Sequence, residues 1–104
     1  MRVRWTTNAA NDLTRIVERI REVDPSTATQ RGARKISLAI AQHVSRRMYD
    51  AIAGLRRFPQ LGRIGSAANT RELMLLPWPY IAVYEIAKDQ VHVLRIRHAS
   101  QDWP

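Results

Sequence analysis

Cysteine is absent from this chain, which removes disulfide staples, thiolate metal sites and thiol redox chemistry together. Packing alone must hold the fold. No apolar run approaches the roughly 18 to 20 residues that a membrane helix needs. The opening Met1-Arg2-Val3-Arg4-Trp5 carries charge, but the apolar stretch and small-residue cleavage site of a secretory signal do not follow it. The expectation is a soluble, cytoplasmic protein with no membrane partner. Acidic residues are also scarce: 9 Asp+Glu stand against 17 Lys+Arg, a formal charge of +8, so an acidic or polyanionic partner is implied. Lysine is nearly missing as well, since fifteen of the seventeen bases are arginine and only Lys35 and Lys88 are not. A guanidinium fork grips phosphate or carboxylate with two hydrogen bonds, which a point-charge ammonium cannot do. At 104 residues there is room for a single domain, 1–104, around one hydrophobic core.

What is present reads in two halves. Residues 2 to 5 form a short extended start, and Thr6, Thr7 and Asn8 each offer a side-chain oxygen to cap a helix. Leu13, Ile16, Val17, Ile20 and Val23 then recur at helical spacing, with Arg15, Glu18, Arg19 and Arg21 on the other face. Asp24-Pro25 ends that helix and starts the next. A second helix runs to about Leu55 on the stripe Ile36, Ile40, Val44, Met48, Ile52 and Leu55, with Arg34, Lys35, Arg46 and Arg47 off it and Gly32 able to break or kink its start. Pro59, Gly62 and Gly65 mark a loop. Beyond it the period is two: Thr70 to Leu76, Tyr80 to Ala87 and Val91 to Arg97 read as strands, the first two joined rigidly by Pro77-Trp78-Pro79 and the last two by a turn at Lys88-Asp89-Gln90. The reading is α+β in the order β-α-α-β-β-β: an N-terminal strand, then a long α-helical hairpin packed on a mainly antiparallel sheet.

Strict alternation along the last strand puts His92, Leu94, Ile96 and His98 on one face and Val91, Val93, Arg95 and Arg97 on the other. With the helices laid over the Leu94/Ile96 face, Arg95 and Arg97 are expected on the open face as the working surface. The remaining polar and aromatic residues have plainer uses. His43, His92 and His98 match no ligand spacing, so no metal and no cofactor is expected. Tyr80 and Tyr84 suit sheet packing, Trp78 a structural role, Arg46-Arg47 a solvated helix face, and Arg71-Glu72 a cross-strand or local ion pair. His98 has an ordinary use too, fixing the C-terminal tail by a bond to Asp102 or the backbone.

Gly62-Arg63, Thr70-Arg71-Glu72-Leu73, Pro79-Tyr80-Ile81-Ala82-Val83-Tyr84, Val93-Leu94-Arg95-Ile96-Arg97-His98-Ala99 and Gln101-Asp102-Trp103-Pro104 together resemble the C-terminal half of RelE/ParE toxins. Asp12-Leu13 with Ile16 resembles that family's first helix. The resemblance implies a type II toxin that inhibits growth and is neutralised by a cognate antitoxin, itself bearing a DNA-binding domain that meets operator DNA. It also implies one of two activities. RelE-like members cleave mRNA on the ribosome, which needs a base for the 2′-hydroxyl, an acid for the leaving oxygen and cations on the phosphate; here those would be His98, Arg95, Arg97, Arg71 and Asp102. ParE-like members inhibit DNA gyrase by binding.

The RelE-like pattern has an arginine where this chain has Ile81, and it carries further basic residues and a tyrosine beyond the last strand, where this sequence reads Trp103-Pro104. The long hairpin is also ParE-like. The expectation is therefore gyrase inhibition through Arg63, Arg71, Arg95, Arg97, His98, Gln101, Asp102 and Trp103, the arginines and terminal aromatic having the composition of a binding hot spot. A plain nucleic-acid-binding module, suggested by charge, lacks both a helix-turn-helix signature and the stacking aromatics of an RNA-recognition sheet.

Overall fold

Strand β1, Arg2–Trp5, runs parallel to the last strand of the sheet and hands the chain to helix α1, Thr7–Arg21, through a single capping residue. In this computed structural model, residues 1–22 and 30–100 are described, the side chains of 30–37 excepted. Thr6 is the cap: its hydroxyl accepts from the Ala9 amide at 3.2 Å and points at the carbonyls of Val93 and Leu94, 2.9 and 3.0 Å away. Arg19 and Arg21 in the last turn complement the negative end of the helix. The Val23 end of the first stripe and the Asp24-Pro25 break lie outside the described residues.

Helix α2, Gln30–Ala53, passes through Gly32 and ends in a 3₁₀ turn, Gly54–Arg56. Its buried stripe is Ala41, Val44, Met48, Ile52 and then Leu55, whereas Ile40 is 49% exposed. The expected stripe placed Ile40 inside because it stepped by four residues each time from Ile36 to Ile52. Four residues turn a helix through 400°, so that pattern drifts by about 40° per step, and the spacing 41-44-48-52-55 follows the helix correctly. Ile36 lies outside the described side chains.

The five-stranded sheet has the order β1-β5-β4-β3-β2, antiparallel except for β1 beside β5. Its other members are β2 (Arg63–Ile64), β3 (Thr70–Met74), β4 (Tyr80–Ala87) and β5 (Gln90–His98). The α+β order read from the sequence is the observed one, with β2 added; two residues between glycines show no alternation to detect. Helices cover one face, where Ala9, Ile16, Val44, Met48 and Ile52 meet Leu73, Leu75, Ala82, Tyr84, Val91, Val93 and Ile96. Each such large aliphatic side chain, fully buried, contributes about 1.5 to 3 kcal/mol. Trp5 stacks on Tyr49 at 5.9 Å and closes the β1 end of that layer. Among the described residues no helix is long and apolar enough to cross a membrane.

β5 departs from the expected alternation. Val91, Val93 and Ile96 all face the helices, because the register shifts between Val83 and Tyr84: Tyr84 opposes Val93 while Val83 opposes Arg95. Leu94 is the extra residue of a β-bulge, and such a residue reverses the phase of everything after it. Val91 and Val93, expected on the open face, are therefore core. His92, expected under the helices, is not in that cluster, and Leu94 is only half-buried.

The hairpin between β4 and β5 has a two-residue loop, with Ala87 opposite Gln90 and with Lys88 and Asp89 at φ 53° and 58°. Both central residues are left-handed, as a type I′ turn demands, yet neither is Asn or Gly. Replacing Lys88-Asp89 by Asn-Gly should stabilise the protein by about 1 kcal/mol, read as a raised urea midpoint with an unchanged slope.

Candidate target-binding surface

Cross-strand partners share a face, so the register sorts the nominated side chains. Arg63, Glu72, Val83 and Arg95 are successive partners across β2, β3, β4 and β5, and Met74, Ile81 and Arg97 relate similarly through β3, β4 and β5. These rows lie on the face away from the helices, since the intervening Leu73, Ala82 and Tyr84 belong to the helix-covered core. The opposite rows hold Arg71, paired with Tyr84, and His98, paired with Tyr80. The structure therefore brings Arg63, Arg95 and Arg97 together and sets Arg71 and His98 on the other side of the sheet. Gln101, Asp102 and Trp103 lie outside the described residues.

The expectation that Arg95 and Arg97 stand clear on the open face is met in position but not in engagement. Arg95 reaches over the edge of the sheet to Asp12 on α1, donating from Nε at 2.8 Å and from Nη2 at 3.0 Å, and the Ile96 amide donates to the same carboxylate at 2.9 Å. The Asp12 side chain is 6% exposed and that of Arg95 38%. Hydrogen bonding to Asp12 raises the Arg95 guanidinium above its ordinary range, against the opposing effect of burial. Asp12 went unnoticed as a site residue in the sequence. The signal was there: a carboxylate sits on the buried stripe of Ala9, Leu13, Ile16 and Ile20, where an acid needs a cation opposite it.

Glu72 plays the corresponding part in the middle of the face. Its side chain is 4% exposed; Arg63 donates to Oε1 from Nε at 3.2 Å and Nη2 at 3.0 Å, Arg97 Nη2 lies 3.5 Å from the same oxygen, and the Ser66 amide donates to Oε2 at 3.4 Å. Burial pushes the Glu72 carboxyl up, but hydrogen bonds from Arg63 and Ser66 with the charges of Arg97 and Arg63 outweigh it and hold the group below its ordinary 4.5. Of the two ion-pair readings of Arg71-Glu72, the cross-strand one holds for Glu72, which pairs with Arg63 across β2 and β3 and not with its neighbour Arg71, because adjacent strand residues point to opposite faces.

Arg71 and Tyr84 instead fix the loop before β2. The buried Tyr84 hydroxyl donates to the Pro59 carbonyl at 2.6 Å and accepts from the Gly62 amide at 2.9 Å, while Arg71 donates to the Gly62 carbonyl at 2.8 Å. Burial raises the phenol above its ordinary 10.0, opposed by the Gly62 amide and the Arg71 charge. A Cβ on Gly62 would lie 2.7 Å from the Tyr84 ring and 2.9 Å from the Glu72 carbonyl oxygen, so the loop approaches this closely only as glycine. At the far end of the sheet the His98 ring meets Tyr80 edge-on at 5.4 Å and its Nδ1 accepts from the Ser100 amide at 3.1 Å, with the Ser100 hydroxyl 2.7 Å away. The tail-fixing partner of His98 among the described residues is thus Ser100. His43 packs edge-on against Trp78, and no group of three metal-ligating side chains gathers among the described residues.

A sheet of this order under a helical pair, with that basic strand, is shared with known proteins. Residues 30–103 match the family described as ParE toxin of type II toxin-antitoxin system, parDE. The chain belongs to the ParE toxin family, within the RelE/ParE superfamily. It is 36% identical over 103 residues to putative toxin Y4kP of Sinorhizobium fredii, covering 99% of this chain and 93% of that protein. Toxin RelE2 of Caulobacter vibrioides is 34% identical over 97 residues, with 93% of each chain covered. A chain in the structure of the chromosomal ParDE TA system from P. aeruginosa shares the fold, with a TM-score of 0.74 over 94% of this chain and 95% of that one at 22% identity. This ParE-family chain is accordingly the toxin of a type II module, and its partner is a cognate antitoxin.

Two expectations follow for the ParE-family fold. Asp12→Ala removes the carboxylate that holds Arg95 and the Ile96 amide. It should cost about 2 to 3 kcal/mol in chemical denaturation, less than the roughly 3 to 5 of a fully buried pair because Arg95 is more than a third exposed. Glu72, with its folded value depressed, contributes stability that is present above 4.5 and lost as pH falls through the folded value. Melting temperature should therefore drop on acidification below that point, and Glu72→Gln should flatten this limb of the profile while lowering the neutral-pH plateau.

Proposed function

We propose that this ParE-family toxin arrests growth by binding DNA gyrase and not by cutting RNA. The observation that carries the reading is the dispersal of the candidate catalytic groups. General acid–base cleavage needs its proton-transfer groups and phosphate cations within hydrogen-bond reach of one reacting centre. Here His98 and Arg71 stand on the side of the sheet opposite Arg95 and Arg97, and the latter two are committed to Asp12 and Glu72. Ile81 is buried beside Arg97 at the position where the RelE-like pattern has another cation.

On this reading the target meets Arg63, Arg71, Arg95, Arg97 and His98 at the open face and the sheet margins, together with Gln101, Asp102 and Trp103. No cofactor takes part. The protein acts in the cytoplasm, where its antitoxin, carrying a DNA-binding domain, both covers the toxin and brings the complex to operator DNA. The alternative, ribosome-dependent mRNA cleavage, would require His98 and the arginines to converge on bound RNA.

Purified toxin added to gyrase should inhibit supercoiling or trap cleaved DNA, and added antitoxin should reverse the effect. In parallel, mRNA on translating ribosomes should stay intact at the same toxin concentrations. Cleaved mRNA with gyrase untouched would replace this mechanism by the RelE-like one.

A further inference from the structure

Glu72 sits where an incoming anion would sit. Guanidinium groups reach one of its oxygens, Oε1, from both sides, Arg63 from β2 and Arg97 from β5 beyond β4, and the Ser66 amide donates to the other. Forked N–H donors joined by a backbone amide accept carboxylate and phosphate alike, because both present oxygens at matching separations. The two arginines differ in exposure: the Arg63 side chain is 61% exposed and that of Arg97 13%, so the pair forms a recess with an inner cation and an outer one. A glutamate 96% removed from solvent on the open face of a sheet is unusual unless it is paired.

We infer that Glu72 is an internal oxyanion: it fills from within a phosphate-sized site made by Arg63, Arg97 and the Ser66 amide, and so keeps the open face from acting as a phosphate clamp. This determinant of what the face can bind holds whichever macromolecule the toxin disables. In its absence the same donors would be offered to a phosphate group of nucleic acid or to the free ion. With Glu72 in place, Arg63 and Arg97 meet the target already holding a carboxylate.

The test uses the full chain with Glu72→Ala, melted in rising inorganic phosphate, with chloride at matched ionic strength as reference. Phosphate gradually stabilises proteins in general by exclusion from their surfaces, so the quantity to read is a saturable excess over the unsubstituted protein. At about ten times the dissociation constant that excess should reach roughly 5 to 10 °C for a domain of this size, and Arg97→Ala added to Glu72→Ala should abolish it. Should the alanine variant be unfolded without phosphate, phosphate should restore its fold in a concentration-dependent way. A saturable phosphate response in the unsubstituted protein that disappears with Arg97→Ala would show the site already open and overturn the inference. So would an alanine variant that neither melts higher nor refolds in phosphate. None of these outcomes depends on gyrase, so the two readings fail separately.

Discussion

β1 pairs with β5 only as far as Trp5 opposite Val93, and beyond that point the outer edge of β5 has no strand beside it among the described residues. Helix α1 takes over the task with side chains. Thr6 donates to the Val93 and Leu94 carbonyls, and Asp12, six residues later, accepts from the Ile96 amide while its remaining capacity holds Arg95. An edge left bare under a helix would leave buried donors and acceptors unsatisfied. The carboxylate of Asp12 thus fixes where the helix lies along the strand, and with it the seating of Ile16 and Leu13 on the sheet. Because α1 and α2 share that core, the placement of the whole helical layer depends on this one group.

The acids of this basic chain are few, and two of them are spent inside. Asp12 and Glu72 offset two of the three charges of Arg63, Arg95 and Arg97, while Arg2, Arg4, Arg15, Arg19, Arg21, Arg46, Arg47, Arg56 and Arg57 are exposed on β1, the helices and the turn that follows them. The net charge of +8 is therefore expressed mainly from the helical side and the β1 edge. The electrostatic field around the protein is therefore most positive on that side. The sheet face contributes shape and directed hydrogen bonds.

Element order and type were legible because they rest on periodicity, and both the strand Tyr80–Ala87 and the start Arg2–Trp5 have the bounds that alternation and capping suggested. Three things were not. The phase of α2 needed the non-integral helical repeat, which Ile40 and Ala41 separate. The faces of β5 needed the Leu94 bulge, a feature of pairing between strands that no local pattern encodes. The pairing of cations with carboxylates needed distances across 83 residues of chain for Arg95 with Asp12. Five of the nominated residues, Arg63, Arg71, Arg95, Arg97 and His98, have described positions, yet the sequence did not reveal that they divide between two faces. That division follows from the odd and even positions of neighbouring strands combined with the bulge.

The loop anchor at Tyr84 has a consequence for how relatives can diverge. Its hydroxyl serves Pro59 and Gly62 at once, and its ring leaves no room for a side chain at position 62. A bulkier residue at 62 is tolerable only if the aromatic at 84 shrinks, and a smaller residue at 84 releases the segment from 59 to 62. Two positions separated by 22 residues thus answer to one packing constraint, and the Glu72 carbonyl holds position 62 to glycine even where the aromatic gives way.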